Sequence, residues 1–174
     1  MNATSGITRS KEIRRMGSFP ELDATDRRII ELLQKDGRQS NKALAAAVGI
    51  APSTCSERVQ RLRDAGVFRG FHADVDPAAL GVGLQALVTV RLRRHAEELV
   101  ASFWDHIGAM DEVTSAYHLS GGNDFLCHVV VRDSEHLRRV AVSGFTSLPE
   151  VSRIETSIIF DHRAKKAVPD VSES

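Results

Sequence analysis

Apolar residues recur at helical spacing through the first third of the chain, and beyond it alternating stretches are interleaved with further helical ones. Ile29, Ile30 and Leu33 give a helix over Leu22–Gln34 its buried stripe, and Asp36-Gly37 closes it. Asp23 and Asp26 stand three apart at its start, a capping box with Asp where Glu is usual. Both charges suit the positive end of a helix. Ser40 is placed to cap a second helix whose stripe is Leu44, Ala45 and Val48. Gly49 supplies the turn. Pro52 suits the first position of a third helix, in which Cys55, Val59 and Leu62 face inward and which Gly66 ends. Two short helices joined by a tight turn, with another helix before them, form a helix-turn-helix.

Past Gly66 the period changes. Phe68, Gly70-Phe71 and Val75 predict short extended segments, a wing hairpin or a connecting strand, with Asp76-Pro77 as a turn and a domain boundary. Leu84 to Leu92 alternates as a strand, and Glu97 to Ile107 returns to helical spacing through Leu99, Val100, Phe103, Trp104 and Ile107. Val113–Leu119 and Phe125–Val131 predict two strands joined by Ser120-Gly121-Gly122-Asn123-Asp124. A helix from a Ser134 cap through Val142 and a strand from Val151 to Phe160 follow. The order is βαββαβ, so the expected class is α+β: a winged helix-turn-helix, then a ferredoxin-like domain with helices on one sheet face. The last strand is apolar on more than one side, through Ile154, Ile158, Phe160 and Ile159. That pattern predicts a homodimer formed over the bare sheet face.

Charge sharpens this division. The net charge is +0, yet residues 1–72 hold 13 Lys/Arg against 8 Asp/Glu, and residues 73–174 hold 10 against 15. A basic front and an acidic back suit two domains with different partners. Residues 1–20, with Arg9, Lys11, Arg14 and Arg15 against Glu12, are expected as a basic arm. The remaining divisions are 21–66 for the helix-turn-helix, 67–81 for the wing or linker, 82–163 for the sheet domain and 164–174 for a tail. Cys55 and Cys127 both fall in apolar-periodic segments and are expected as buried free thiols. No apolar run approaches the roughly 18 residues of a membrane span, so a cytoplasmic protein without a membrane partner is expected.

The third helix carries the clearest candidate chemistry. Turning about 100° per residue from its apolar stripe places Ser53, Glu57 and Gln60 outward, with Thr54, Ser56 and Arg61 beside them and Arg58 nearer the core edge. Hydroxyl, amide and guanidinium groups read base edges and hold phosphates in the major groove of double-stranded DNA. A solvated helix face carries the same residue types; the adjoining helix and turn favour DNA. Gln60 and Ser56 are the candidates for base reading, Arg58 and Arg61 for phosphates. Other chemistry finds little support. His118, His128 and His136 lack the spacing of a zinc site, and Ser120 lacks a nucleophile elbow. The Gly121-Gly122 loop lacks a phosphate-binding lysine. No catalytic residue, metal or cofactor is expected. The alternative is a small-molecule-binding regulatory subunit or enzyme on the ferredoxin-like fold, its helical module binding protein.

From Leu22 to about Arg163 the chain resembles the Lrp/AsnC family of feast/famine regulators. The likeness rests on Leu22-Asp23-x-x-Asp26, Leu33-Gln34-x-Asp36-Gly37-Arg38 and Val48-Gly49-Ile50 leading to Pro52. It continues in Glu57-Arg58-Val59-x-Arg61-Leu62, Gly66-x-x-x-Gly70-Phe71-x-Ala73, Pro77 and Leu80-Gly81. Farther on, His118-Leu119-x-Gly121, Asp124-Phe125-Leu126 and Leu148-Pro149-x-Val151 belong to the same pattern. The long N-terminal extension is similar to that of AldR-type members. The resemblance implies a DNA-binding transcriptional regulator whose C-terminal domains dimerise, assemble to tetramers or octamers, and bind an amino-acid effector at their interfaces. It places that effector at Ser120, Gly121, Gly122, Asn123 and Asp124, where loop amides can take a carboxylate and Asp124 an ammonium. Asp124 as a structural turn acid is the competing reading. Two positions depart from the pattern: Ala51 stands where Ser or Thr often caps the recognition helix, and Gly122 where Asp is common.

Overall fold

Local residues set the ends of each N-terminal helix. In the computed structural model, which describes residues 19–94, 96–165 and 167–172, α1 spans Ala24–Lys35. Its capping box is reciprocal: the Asp26 amide donates to Asp23 Oδ1 at 2.8 Å and the Asp23 amide to Asp26 Oδ2 at 3.3 Å. In α2, Asn41–Val48, the Ala43 amide donates to Ser40 Oγ at 3.2 Å, and the helix stops on Gly49 at φ 73°. A left-handed residue there costs glycine nothing and other residues about 1–2 kcal/mol. Helix α3, Pro52–Asp64, begins on proline after an Ala51 that offers no cap. Asn41 Nδ2 donates to the Pro52 carbonyl at 2.7 Å and ties the start of α2 to the start of α3. Ile29, Leu33, Leu44, Ala45, Cys55 and Leu62 are buried together at the centre.

Residues 67–76 hold no regular secondary structure, so the expected wing is an irregular segment and not a hairpin. Its apolar residues are drawn onto the helices. Val67 and Phe68 pack against the helical core, the Phe68 and Phe71 rings stand 5.6 Å apart, and the Arg63 guanidinium lies 5.2 Å from the Phe71 ring centre. The C-terminal segment from Arg163 belongs to the same compact unit. The Val168 amide donates to Gln34 Oε1 at 2.7 Å, Gln34 Nε2 donates to the Val168 carbonyl at 3.3 Å, and Arg27 pairs with Asp170. The basic arm falls outside the described residues except for Phe19 and Pro20.

The second unit, Val75–His162, opens with a 3₁₀ turn at Pro77–Leu80. Then come β1 (Leu84–Leu92), α4 (Glu97–Gly108), β2 (Val113–His118), β3 (Phe125–Val131), α5 (Ser134–Arg139) and β4 (Val151–Ile158). The antiparallel sheet has the order β2-β3-β1-β4, as βαββαβ predicts. Alternation is strict in β3: Phe125, Cys127, Val129 and Val131 are buried with Ala86, Val88, Val90 and Leu92 of β1 beneath α4 and α5. Phe103 of α4 anchors this layer, its ring 4.5 Å from Phe125 and 6.4 Å from Phe145, aromatic pairs worth about 0.5–1.5 kcal/mol each beyond their burial.

Two expectations change here. Helix α5 is capped by Asp133, whose Oδ1 accepts from the His136 amide at 2.7 Å, so Ser134 is its first residue and not its cap. It runs on as a π-helical turn, Val140–Thr146. In β4, register pairs Ile154 with Val90 and Ile158 with Ala86, which puts both isoleucines on the helix-covered side. The bare face of β4 carries Arg153, Glu155 and Ser157 instead. The apolar part of that face lies on the central strands, in half-buried Leu87, Leu126 and Val130.

Candidate functional site

Helix α3 presents Ser53, Thr54, Ser56, Glu57, Gln60 and Arg61 to the exterior, while Cys55 and Leu62 are sealed beneath. Ser56 and Gln60 border a cavity of about 230 Å³ that Asn41, Arg63 and Phe71 also line. Gln60 Nε2 donates to Asp64 Oδ1 at 2.8 Å, one turn along the same helix. A polar face on an apolar base, standing beside a short helix, is the geometry that lets a helix enter a DNA groove.

The other flank of α3 meets the start of α1. Asp26 is fully buried, and two arginines from α3 reach it. Arg58 Nη1 donates to Asp26 Oδ1 at 3.0 Å and to Asp23 Oδ2 at 2.6 Å. Arg61 Nη2 donates to Asp26 Oδ2 at 2.5 Å. With the Asp23 amide as a third donor, both oxygens of the buried Asp26 carboxylate have hydrogen-bond partners. The amide of Asp26 and the Arg58 guanidinium hold the Asp23 carboxyl below its usual range, and Asp23, then Asp26, raise Arg58. Sequence reasoning gave both arginines the same task, but the structure separates them: the Arg58 side chain is 28% exposed and bound twice, the Arg61 side chain 49% exposed and bound once. Asp26 read as a helix cap from its spacing, and its burial could not be seen. The only available signal was an acid on the side of α1 that also carries Ile29 and Ile30.

Ser120, Gly121 and Gly122 are exposed at the end of the sheet, and Asn123 is half-buried. Gly121 has φ 132°, a conformation that favours glycine, and neither glycine has a neighbour where a side chain would project. Asp124 turns the other way. It is buried, and its Oδ2 accepts from the Leu92 amide at 2.7 Å. Its backbone continues the tie: the Asp124 amide donates to the Val90 carbonyl at 2.9 Å, and the Leu119 amide to the Asp124 carbonyl at 2.8 Å. The carboxylate expected to meet a ligand ammonium thus fastens the loop to the end of β1, as a structural turn acid does.

On the bare sheet face His128 Nε2 lies 2.9 Å from Gln85 Oε1, and Nδ1 lies 2.9 Å from Thr114 Oγ1. The amide oxygen calls for the proton on Nε2, and the Thr114 hydroxyl, which also donates to the His128 carbonyl at 3.3 Å, lies closer to Nδ1 and can share its hydrogen with it, which suits a neutral ring. Burial and then the charge of His162, ring centres 6.3 Å apart, lower its pKa. Both cysteines are free and buried, and burial pushes the Cys127 thiol up to about 12. Among the described residues no group of three or more His, Cys, Asp or Glu side chains could hold a metal ion, and no helix is long and apolar enough to cross a membrane.

Residues 22–63 match the profile of the AsnC-type helix-turn-helix domain, and residues 85–168 that of the Lrp/AsnC ligand binding domain. The chain is 48% identical over 142 residues to the HTH-type transcriptional regulator AldR of Mycolicibacterium smegmatis, covering 82% of this chain and 83% of that protein. It is 45% identical over 165 residues to AldR of Mycobacterium tuberculosis, with 92% and 90% covered. A crystal structure of a Neisseria meningitidis transcriptional regulator in complex with L-Met superposes with a TM-score of 0.80 at 29% identity, covering 86% of this chain and 97% of that one.

Proposed function

We propose, for a chain that belongs to the Lrp/AsnC family of transcriptional regulators, that it is a sequence-specific DNA-binding regulator that answers to an amino acid. The observation that carries this reading is the outer face of α3: six polar side chains exposed on a helix whose other side is sealed against α1 and α2. Ser53, Ser56, Glu57 and Gln60 meet base edges, and Thr54 and Arg61 meet the backbone. Arg58, held by two carboxylates, belongs to the support of the helix. The effector is a small neutral amino acid, its carboxylate on the amides of Ser120 to Asn123. The L-Met complex of a structural relative supports an amino acid as the ligand class. Gly122 in place of a common Asp lowers the negative charge there and favours neutral over basic side chains.

The exposed loop offers one wall for a ligand, and a second chain would supply the other. On the bare sheet face Leu87, Leu126 and Val130 surround the His128–Gln85 pair on the central strands and Arg153 and Glu155 stand at the edge, a mix of apolar and polar groups that suits a subunit interface. Two-fold pairing there makes a homodimer, and further pairing a tetramer or octamer. Dimeric helix-turn-helix proteins bind half-sites about 10 bp apart or a multiple of that. The test is footprinting on the DNA upstream of the protein's own reading frame, with and without a panel of amino acids. Protected half-sites at that spacing, altered by one or a few neutral amino acids, are the expected result. A thermal-shift screen gives an independent reading: a ligand at a hundredfold its Kd stabilises by about 2.7 kcal/mol. Absence of any protected site, together with activity on a small molecule, would instead favour an enzyme or regulatory subunit on the same fold.

A further inference from the structure

From the buried ion-pair cluster we infer that Asp26 is a positioning residue for DNA reading, one that aims Arg61 at a phosphate and assigns Arg58 to hold α3 in place. The inference rests on the reading of α3 as the DNA-contacting helix. Arg58 and Arg61 are three apart, so both leave the same flank of α3 and meet one carboxylate on α1. Their partners lie 32 and 35 residues away in sequence, so the contact fixes the rotation of α3 about its own axis and not its local winding.

The two arginines differ in what remains to them. A guanidinium has about five N–H donors in a rigid fork. Arg58 gives Nη1 to both Asp23 and Asp26 and sits largely covered. Arg61 gives Nη2 to Asp26 while half of its side chain faces outward, which leaves the other edge of the fork for a phosphate oxygen. A long flexible side chain on a surface ordinarily samples many rotamers. Here a fully buried anion fixes one end of it, so the free edge is oriented before DNA arrives. Asp26 touches no DNA in this arrangement and acts through Arg61 and through the roll of α3, on which the registry of Ser53, Glu57 and Gln60 with bases depends.

The experiment uses the full chain, a duplex selected by the wild-type protein from a random pool, and a scrambled duplex of equal length, with binding followed by fluorescence anisotropy over a potassium chloride series. For Asp26→Asn the ratio of affinities, selected over scrambled, should drop about tenfold, within the range usual for a mismatched base pair. Loss of stability alone lowers both affinities by the same folded fraction and leaves that ratio unchanged. Arg61→Ala should reduce the salt slope by about 0.9, the loss of one phosphate contact, while Arg58→Met should leave the slope as it is. If Asp26→Asn does not fold, the contrast between the two arginine variants decides alone. An unchanged ratio in a folded Asp26→Asn, or equal slope changes in both arginine variants, overturns the inference. A wild-type protein that selects no duplex overturns the functional reading itself, and the inference with it.

Discussion

Replacing Asp124 by alanine separates the two roles open to that residue, because one of them operates with no ligand present. Its carboxylate is buried and receives the Leu92 amide at 2.7 Å, where β1 ends. Removing it strands that amide, and a hydrogen bond to a charged group is worth about 1.5–3 kcal/mol. Taking about 2 kcal/mol and a urea slope near 2 kcal/mol per molar, the unfolding midpoint should drop by about 1 M. Asp124→Asn retains an acceptor oxygen and should recover part of the loss. The single tryptophan, Trp104, stands edge-on to Phe125 with ring centres 5.3 Å apart, so its fluorescence reports unfolding next to the substitution. The measurement is made in buffer free of amino acids. A midpoint that stays within about 0.2 M of wild type would show that the carboxylate bears no structural load, and the ligand-contact reading would return.

Gly83→Ala should destabilise the same unit by about 1–3 kcal/mol, since the added Cβ would lie 2.3 Å from the Arg132 carbonyl oxygen, backbone that cannot swing aside; an unchanged urea midpoint counts against that geometry. His128, with its pKa lowered from 6.5, contributes stability that is complete above 6.5 and is lost as pH falls through its folded value. Denaturation curves across that range should therefore decline toward acid for wild type and decline less for His128→Gln. Parallel curves would refute the assignment of a neutral ring.

Much of the helical unit was legible because its punctuation is local. The Asp23/Asp26 box, the Ser40 cap, the Gly49 turn and Pro52 each act within a few residues, and each stands where its spacing predicted. What was missed lies at longer range. Spacing showed Asp26 as a cap but not that two arginines from another helix would bury it. Alternation divided β4 into two faces, yet only its register against β1 reveals that Ile154 and Ile158 turn toward the helices. The segment after Gly66 has extended-looking apolar residues, but Phe71 finds Arg63 and Phe68 before it finds a strand partner. The π-helical turn had no sequence signal of its own: Gly144 sits where a side chain would lie 2.4 Å from the Met110 methyl, a close approach visible only once the unit is packed.

The pairing of Gln34 with the backbone of Val168 makes the sheet unit an insertion within the helical one. Among the described residues the chain leaves the DNA-reading unit after Asp74 and rejoins it at Arg163, so two covalent tethers connect the units there. Shortening the protein at its C-terminus therefore edits the first helix, far from the cut in sequence, by taking away the partners of Gln34 and Arg27. A chimaera that joins this sheet unit to another helical unit, or this helical unit to another sheet unit, has these two seams to match instead of one.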